Sequence, residues 1–369
     1  MSLSRILDII TRLASPMGEE AVPLLESLGR VVARPVASHR DVPPLDVSSL
    51  DGYAVKGPGR RFSVVGSLQP LGPAPAYLKE GEALFVPTGG CFPPGTRFVA
   101  REYASEEAEF ISVKVGTDER KTVKKGEWLE KGRPLAAKGE IVAPALMGLL
   151  AQGGYGTIRV FVKPPVAVVT TGEELKNGAM ADSNKFLLAG LVERDGGKVV
   201  GLHTTGDDEE EIMGAITASS EARLIVLTGG TARGKKDRTK EAARRLGFRL
   251  LIDSPPILPG KTMAFGGKGR VLLFILPGRP TAVRTLYDLF VRRALLRMSG
   301  RSLRDREHLL PLTGQVDKPA RSVMVIPVLI GCERKAIVEV YPDEPNGFIV
   351  LEEGPERLGA GELVRVLET

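Results

Sequence analysis

Histidine and cysteine are scarce in this chain. Its 369 residues include three His (His39, His203, His308) and two Cys (Cys91, Cys332). Numbers so low, at such separations, exclude a zinc ribbon, a histidine metal cluster and a disulfide framework. A reducing cytosol is the compartment expected. No G-x-S-x-G elbow accompanies the histidines, so nothing supports a Ser-His-Asp hydrolase. Aromatic residues make up only 5% of the chain, and the net charge of +6 is dispersed. The densest basic stretches, "VKKGEWLEKGR" and "ARGKKDRTKEAARR", also carry acids. With few stacking platforms for bases, small anions are better expected partners than nucleic acid. No run reaches the roughly 20 apolar residues of a membrane span. The opening "MSLSRILDIITRLA" meets Asp8 too early for a signal peptide. Asn and Gln are rare as well, a depletion found among thermophiles.

The hydrophobic fraction is 43% and the charged fraction 26%, ordinary globular values. Residues 1–35 read as helices, with a stripe of Ile6, Ile9, Ile10 and Leu13, then a second helix over "AVPLLESLGRVVA" running into a strand. Pro and Gly then punctuate short β-rich runs such as "FSVVGS" and "FISVKVG" to about residue 135, which predicts an all-β module. A helix-and-strand connector follows. From 165 to 300 strands ("PVAVVTT", "KVVGLHT", "RLIVLT", "VLLFIL") alternate with helices, the rhythm of a parallel α/β domain with ligands at the carboxyl ends of its strands. The expected helix "DSNKFLLAGLVERDGG" has Asp182 or Ser183 at its start, and "PTAVRTLYDLFVRRALLRMSG" is another. A short β segment closes the chain.

"VLTGGTARGKKD" raises the question of chemistry. Gly229 to Lys236 reads G-x-x-x-x-G-K-K, but a Walker A loop needs Ser or Thr where Lys236 stands. "PPILPGKT" fails too, with Pro255 in place of the upstream Gly. A P-loop hydrolase is therefore not expected. Gly229 and Gly230 leave a buried strand, and their amides could meet an oxyanion, with Thr228 and Thr231 adding hydroxyls and Lys235 and Lys236 charge. A tight turn needing positive φ explains the same glycines. Asp237 reads as a helix N-cap or a catalytic acid. Glu173 and Glu174 follow a strand, as magnesium ligands or as a solvated turn. Asp207 and Asp208 suit a helix start.

Taken in order, "PPLDVSSLDGYAV", "PTGGCFPPGTRFVARE", "TTGEEL", "DSNKFLLAGLVERDGG", "TGGTARGKKDRTK", "PGKTMAFG" and "LPGRPTA" resemble the MoeA family over essentially the whole chain. These are the molybdopterin molybdenumtransferases, whose eukaryotic relative is the gephyrin E domain. The resemblance implies a multidomain α/β plus β protein. An elongated linker domain would occupy 1–44 and 136–164, and an inserted β domain 45–135. A MogA-like three-layer α/β domain with a mostly parallel sheet would span 165–303, and a C-terminal β-barrel-like domain 304–369. It implies a cytoplasmic homodimer that inserts molybdate or tungstate into adenylylated molybdopterin with release of AMP, helped by Mg2+. A molybdopterin adenylyltransferase would be a partner.

By motif match, the implied catalytic residues are Asp51, Thr88, Glu174 and Asp237. The implied metal ligands are Glu174, Asp207, Asp208 and Asp237. Thr228, Gly229, Gly230, Thr231, Lys235, Lys261, Pro277, Arg279 and Pro280 would bind the pterin substrate and the oxyanion. The chain departs from the family pattern at Ala232, Leu258, Arg279, Ala282 and Trp128, where Ser, Lys, Asn, Ser and Asp are usual. Two alternatives follow: a non-catalytic molybdopterin-binding scaffold, and a molybdopterin adenylyltransferase suggested by the T-G-G-T loop.

Overall fold

The computed structural model describes residues 1–72, 77–114, 122–230, 237–301, 306–317, 323–331, 335–337, 345–352 and 357–368. Thr231, Ala232, Lys235, Lys236 and Cys332, named above, lie outside them. The chain divides into two compact units, one of residues 1–20, 29–33 and 159–369, the other of 21–28 and 34–158.

The first unit is built on a six-stranded sheet. Its order is Lys198–Thr205, Pro165–Thr171, Leu224–Thr228, Val271–Leu276, Ala264–Lys268 and Arg249–Asp253. The first four strands are mutually parallel, and Ala264–Lys268 runs antiparallel to both neighbours. Side chains alternate across the sheet. Val166, Val168, Val226 and Phe274 enter one core with the helices Leu3–Leu13 and Ser183–Arg194. Ala167, Val169, Leu227 and Ile275 enter another with the helices Glu209–Ala218 and Arg238–Arg245. Helices therefore cover both faces, which is why the strands read as continuous apolar runs. The α/β expectation holds, and the sheet is mixed.

Three local expectations change. The second N-terminal helix is absent. Glu19–Pro23 is a strand, Leu24–Ser27 a single 3-10 turn, and Gly29 sits at φ +72°. Pro23 and Gly29 leave too short a stretch between them for an α-helix. The helix Leu3–Leu13, assigned above to the linker domain, instead buries Leu3, Ile6, Leu7 and Ile10 in the core of the α/β sheet. Finally, the expected single helix from Pro280 contains a π-helical segment at Tyr287–Val291, between Pro280–Leu286 and Arg292–Met298. All five π residues are buried, and Asp288 among them pairs with Arg194 and Arg284.

Near its end the first unit adds a second sheet, with strand order Ile257–Leu258, Val323–Ile330, Gly347–Leu351, Leu363–Glu368 and Arg306–Pro311, plus Ala336–Ile337 beside Val323–Ile330. Among the described residues it forms an open path rather than a closed barrel. Leu258, one of the departures from the family pattern, pairs with Met324 in this sheet.

The other unit contains the expected β module. Its main sheet runs Arg97–Ala100, Gly52–Val55, Glu82–Val86, Arg61–Ser67, Phe110–Val113 and Ala104–Glu107. Tyr53 and Val55 face one apolar cluster and Ala54 the other. The two-residue period of a strand makes that division.

Candidate active site

In the first unit's sheet, Lys198–Thr205 and Leu224–Thr228 lie on either side of Pro165–Thr171. The chain winds one way from that strand and then the other, so the gap between Pro165–Thr171 and Leu224–Thr228 is a topological switch point. Ligands of open α/β sheets sit at the carboxyl edge of such a gap. A cleft of about 1370 Å³ opens there, lined by Thr171, Glu174, Asn184, Asp207, Gly229 and Arg279 among others.

The glycine pair shapes its floor. Gly229 and Gly230 hold φ of +97° and +61°. A Cβ on Gly229 would stand 2.2 Å from the Thr171 carbonyl, and one on Gly230 2.7 Å from Thr239. Both glycines are required by backbone and space. The Gly229 amide donates to the Leu276 carbonyl at 3.4 Å, so it is partly occupied, whereas Gly230 has no hydrogen bond among the described residues. Thr228 spends its hydroxyl on the Pro277 carbonyl at 2.8 Å. It fixes the loop carrying Pro277, Arg279 and Pro280, all of which line the cleft.

The acids divide. Asp208 accepts the amides of Glu210 and Glu211, and Asp237 those of Lys240 and the Thr239 hydroxyl. Both therefore cap helices. The second oxygen of Asp237 lies 3.3 Å from the buried Lys240 ammonium, which also meets Asp253 at 2.7 Å. Asp253 is partly buried, which raises its pKa. Hydrogen bonds from Lys240 and Ser254 and the charges of Lys240 and Arg244 outweigh this and lower it overall. Glu174 and Asp207 line the cleft, and their carboxylates make no protein hydrogen bond among the described residues. Among those residues no group of three or more His, Cys, Asp or Glu is gathered for a metal. Lys261 is exposed and outside the cleft lining, while its neighbour Thr262 is in it.

Asp51 and Thr88 belong to the other unit and form a pair there. One Asp51 carboxylate oxygen receives both the Thr88 amide and the Thr88 hydroxyl.

Two family models match the chain: "MoeA N-terminal region (domain I and II)" over residues 1–154, and "Probable molybdopterin binding domain" over 167–297. A molybdopterin molybdenumtransferase from Synechococcus elongatus is 30% identical over 329 residues, covering 82% of this chain and 81% of its own. The chain belongs to the MoeA family of molybdopterin molybdenumtransferases. A molybdopterin biosynthesis protein of Methanocaldococcus jannaschii is 28% identical over 368 residues, 94% of this chain and 91% of that one. The crystal structure of a MoeA protein from Pyrococcus horikosii superposes with a TM-score of 0.82 at 28% identity, covering 100% of this chain and 98% of that one.

The MoeA cleft also contains Arg238, Asn184 and Thr171, which sequence reasoning passed over, beside Asp182, which it read as a helix start. Arg238 lines it and donates to the Asp207 carbonyl at 2.8 Å. Asn184, only 7% exposed, donates to the Gly278 carbonyl and leaves its own side-chain oxygen without a partner. The Thr171 hydroxyl is likewise buried and unpartnered. Asp182 caps the helix Ser183–Arg194 through Lys185 and accepts the hydroxyls of Thr170 and Thr204. That helix therefore opens its positive amino end onto the cleft. The available signal was "TKEAARR" after "DR", and the polar trio "DSN" before an apolar helix.

Proposed function

We propose that this MoeA-family chain is a molybdenumtransferase that consumes adenylylated molybdopterin with molybdate or tungstate and releases AMP. One observation carries the reading. At the switch point, Arg238, Arg279 and the amino end of Ser183–Arg194 converge on a cleft that also holds the unpartnered oxygens of Asn184 and Thr171. Such a set suits a ligand with phosphate charges and a heterocycle bearing both donors and acceptors. Guanidinium groups hold negative charge where it develops on the departing AMP phosphate. Asn184 orients the substrate and holds the loop at Gly278.

Magnesium fits two of the four expected ligands. Glu174 and Asp207 offer uncommitted carboxylates to the cleft, and Mg2+ is commonly held by one or two carboxylates plus substrate phosphates. An ion held there would supply positive charge against the pyrophosphate. Asp208 acts beside it as a cap that fixes its loop, and Asp237 both caps its helix and serves, as the motif match implies, as the catalytic acid. We extend the reading to a cytoplasmic homodimer, to a molybdopterin adenylyltransferase partner that supplies the substrate, and to the four-domain division given above with the helix Leu3–Leu13 moved to the α/β domain.

The test is to supply adenylylated molybdopterin, Mg2+ and either oxyanion to the purified protein. Oxyanion-dependent AMP release is the expected result. Tight binding without turnover would instead indicate a scaffold. ATP-dependent adenylylation of free molybdopterin would indicate the adenylyltransferase.

A further inference from the structure

The opposite end of the same sheet holds a second pocket, of about 600 Å³. Three arginines line it. Arg223 immediately precedes the strand Leu224–Thr228, Arg270 precedes Val271–Leu276, and Arg249 opens the strand Arg249–Asp253. Each therefore stands at the amino edge of a strand, away from the switch-point cleft at the carboxyl edge. The sheet fixes their proximity. The backbone of Leu272 donates to the carbonyl of Arg223, and Arg249 pairs in register with Gly267, across the hairpin from Leu272.

Their charges share one concavity. No Asp or Glu lines the pocket, and none of the three guanidiniums forms an ion pair among the described residues. Other arginines of this unit are matched, Arg194 with Asp195 and Asp288, Arg244 with Asp253, and Arg245 with Glu209 and Glu210. Three like charges without a counter-ion in one concavity raise the local concentration of anions. The planar fork of Arg suits phosphate oxygens. Beside them Leu251 and Met298 supply apolar wall, and the volume is that of a small-molecule site.

We infer that this pocket is a second anion site that takes a phosphorylated small molecule, its phosphates between Arg223, Arg249 and Arg270 and its body on the apolar wall. The site is independent of the switch-point cleft and of the reaction proposed there.

Calorimetric titration of the full chain tests it, with inorganic pyrophosphate and AMP as separate probes. The cleft is weakened by Arg279→Gln, and the share of the remaining binding held by the second pocket is read from its loss when that pocket's arginines are replaced. Pyrophosphate should still bind that variant at millimolar concentration or better. Adding R223Q, R249Q and R270Q together should weaken binding by at least about tenfold. Changing the three to Lys should restore part of it, because charge returns without the fork. AMP binding tighter than pyrophosphate places the body of the ligand on the apolar wall; the reverse order assigns the site to the bare phosphates and removes the apolar wall from the proposal. With Arg279 intact, the triple Gln variant should still bind adenylylated molybdopterin at the cleft, which confirms its fold. No pyrophosphate binding to Arg279→Gln, or binding unchanged by the triple replacement, overturns the inference.

Discussion

Thr88 clasps Asp51 twice, donating its backbone amide at 2.8 Å and its hydroxyl at 3.0 Å to the same carboxylate oxygen. The amide, then the hydroxyl, holds the Asp51 carboxyl below its ordinary range; desolvation opposes them, and the Arg101 charge assists. A depressed folded value means that the clasp favours the folded state above the unfolded Asp value and loses that contribution as pH falls through the folded one. Thr88→Val keeps the shape and the amide but removes the hydroxyl. Carboxyl titration by NMR should then show the Asp51 pKa moving up toward the usual value; an unmoved titration would mean that the hydroxyl does not contribute.

Tyr53 behaves oppositely. Burial, then the hydrogen bond and charge of Glu106, push its phenol up to about 12. The value is raised relative to the unfolded state, so the contribution to stability is complete below about pH 10 and is lost as pH rises through about 12. Ultraviolet difference titration should show a tyrosine ionising in that interval, and Tyr53→Phe should remove it. A Tyr53 that ionises with the exposed tyrosines contradicts the burial argument.

Gly229 admits no side chain. Gly229→Ala places Cβ against the Thr171 carbonyl at a positive φ, at a strain cost of about 1–3 kcal/mol before the clash is added. Denaturant unfolding should show a loss of at least that size. A variant as stable as the parent would mean that the turn relaxes without cost.

Asp237 separates capping from chemistry. Asn caps a helix nearly as well as Asp, whereas Ala costs about 0.5–2 kcal/mol. Asp237→Asn should therefore leave the unfolding midpoint almost unchanged while abolishing AMP release. Full activity in that variant would assign the residue to the helix cap and the Lys240 ion pair alone.

Much of the fold was legible because local chemistry repeated the global answer. "VAVVTT" and "VLLFIL" are buried on both faces, so their runs read as parallel strands. The glycine pair after "LIVLT" marked the strand end that forms the cleft. What escaped depended on distant partners. Pro23 and Gly29 clip a plausible helix to one turn. Asp288 lies in a π-helical turn and meets Arg194 across 94 positions. Arg238 and Asn184 read as members of ordinary helix starts, and only the switch in strand order brings both to one cleft. Asp208 and Asp237 carried a cap signal in the sequence, and the structure shows each carboxylate capping a helix.

The most direct measurement is the position of adenylylated molybdopterin in a crystal of the complex. The account predicts its phosphates in the switch-point cleft, within hydrogen-bond distance of Arg238 or Arg279, with the side-chain oxygen of Asn184 engaged. Density for the ligand elsewhere, with that cleft filled only by water, would contradict it.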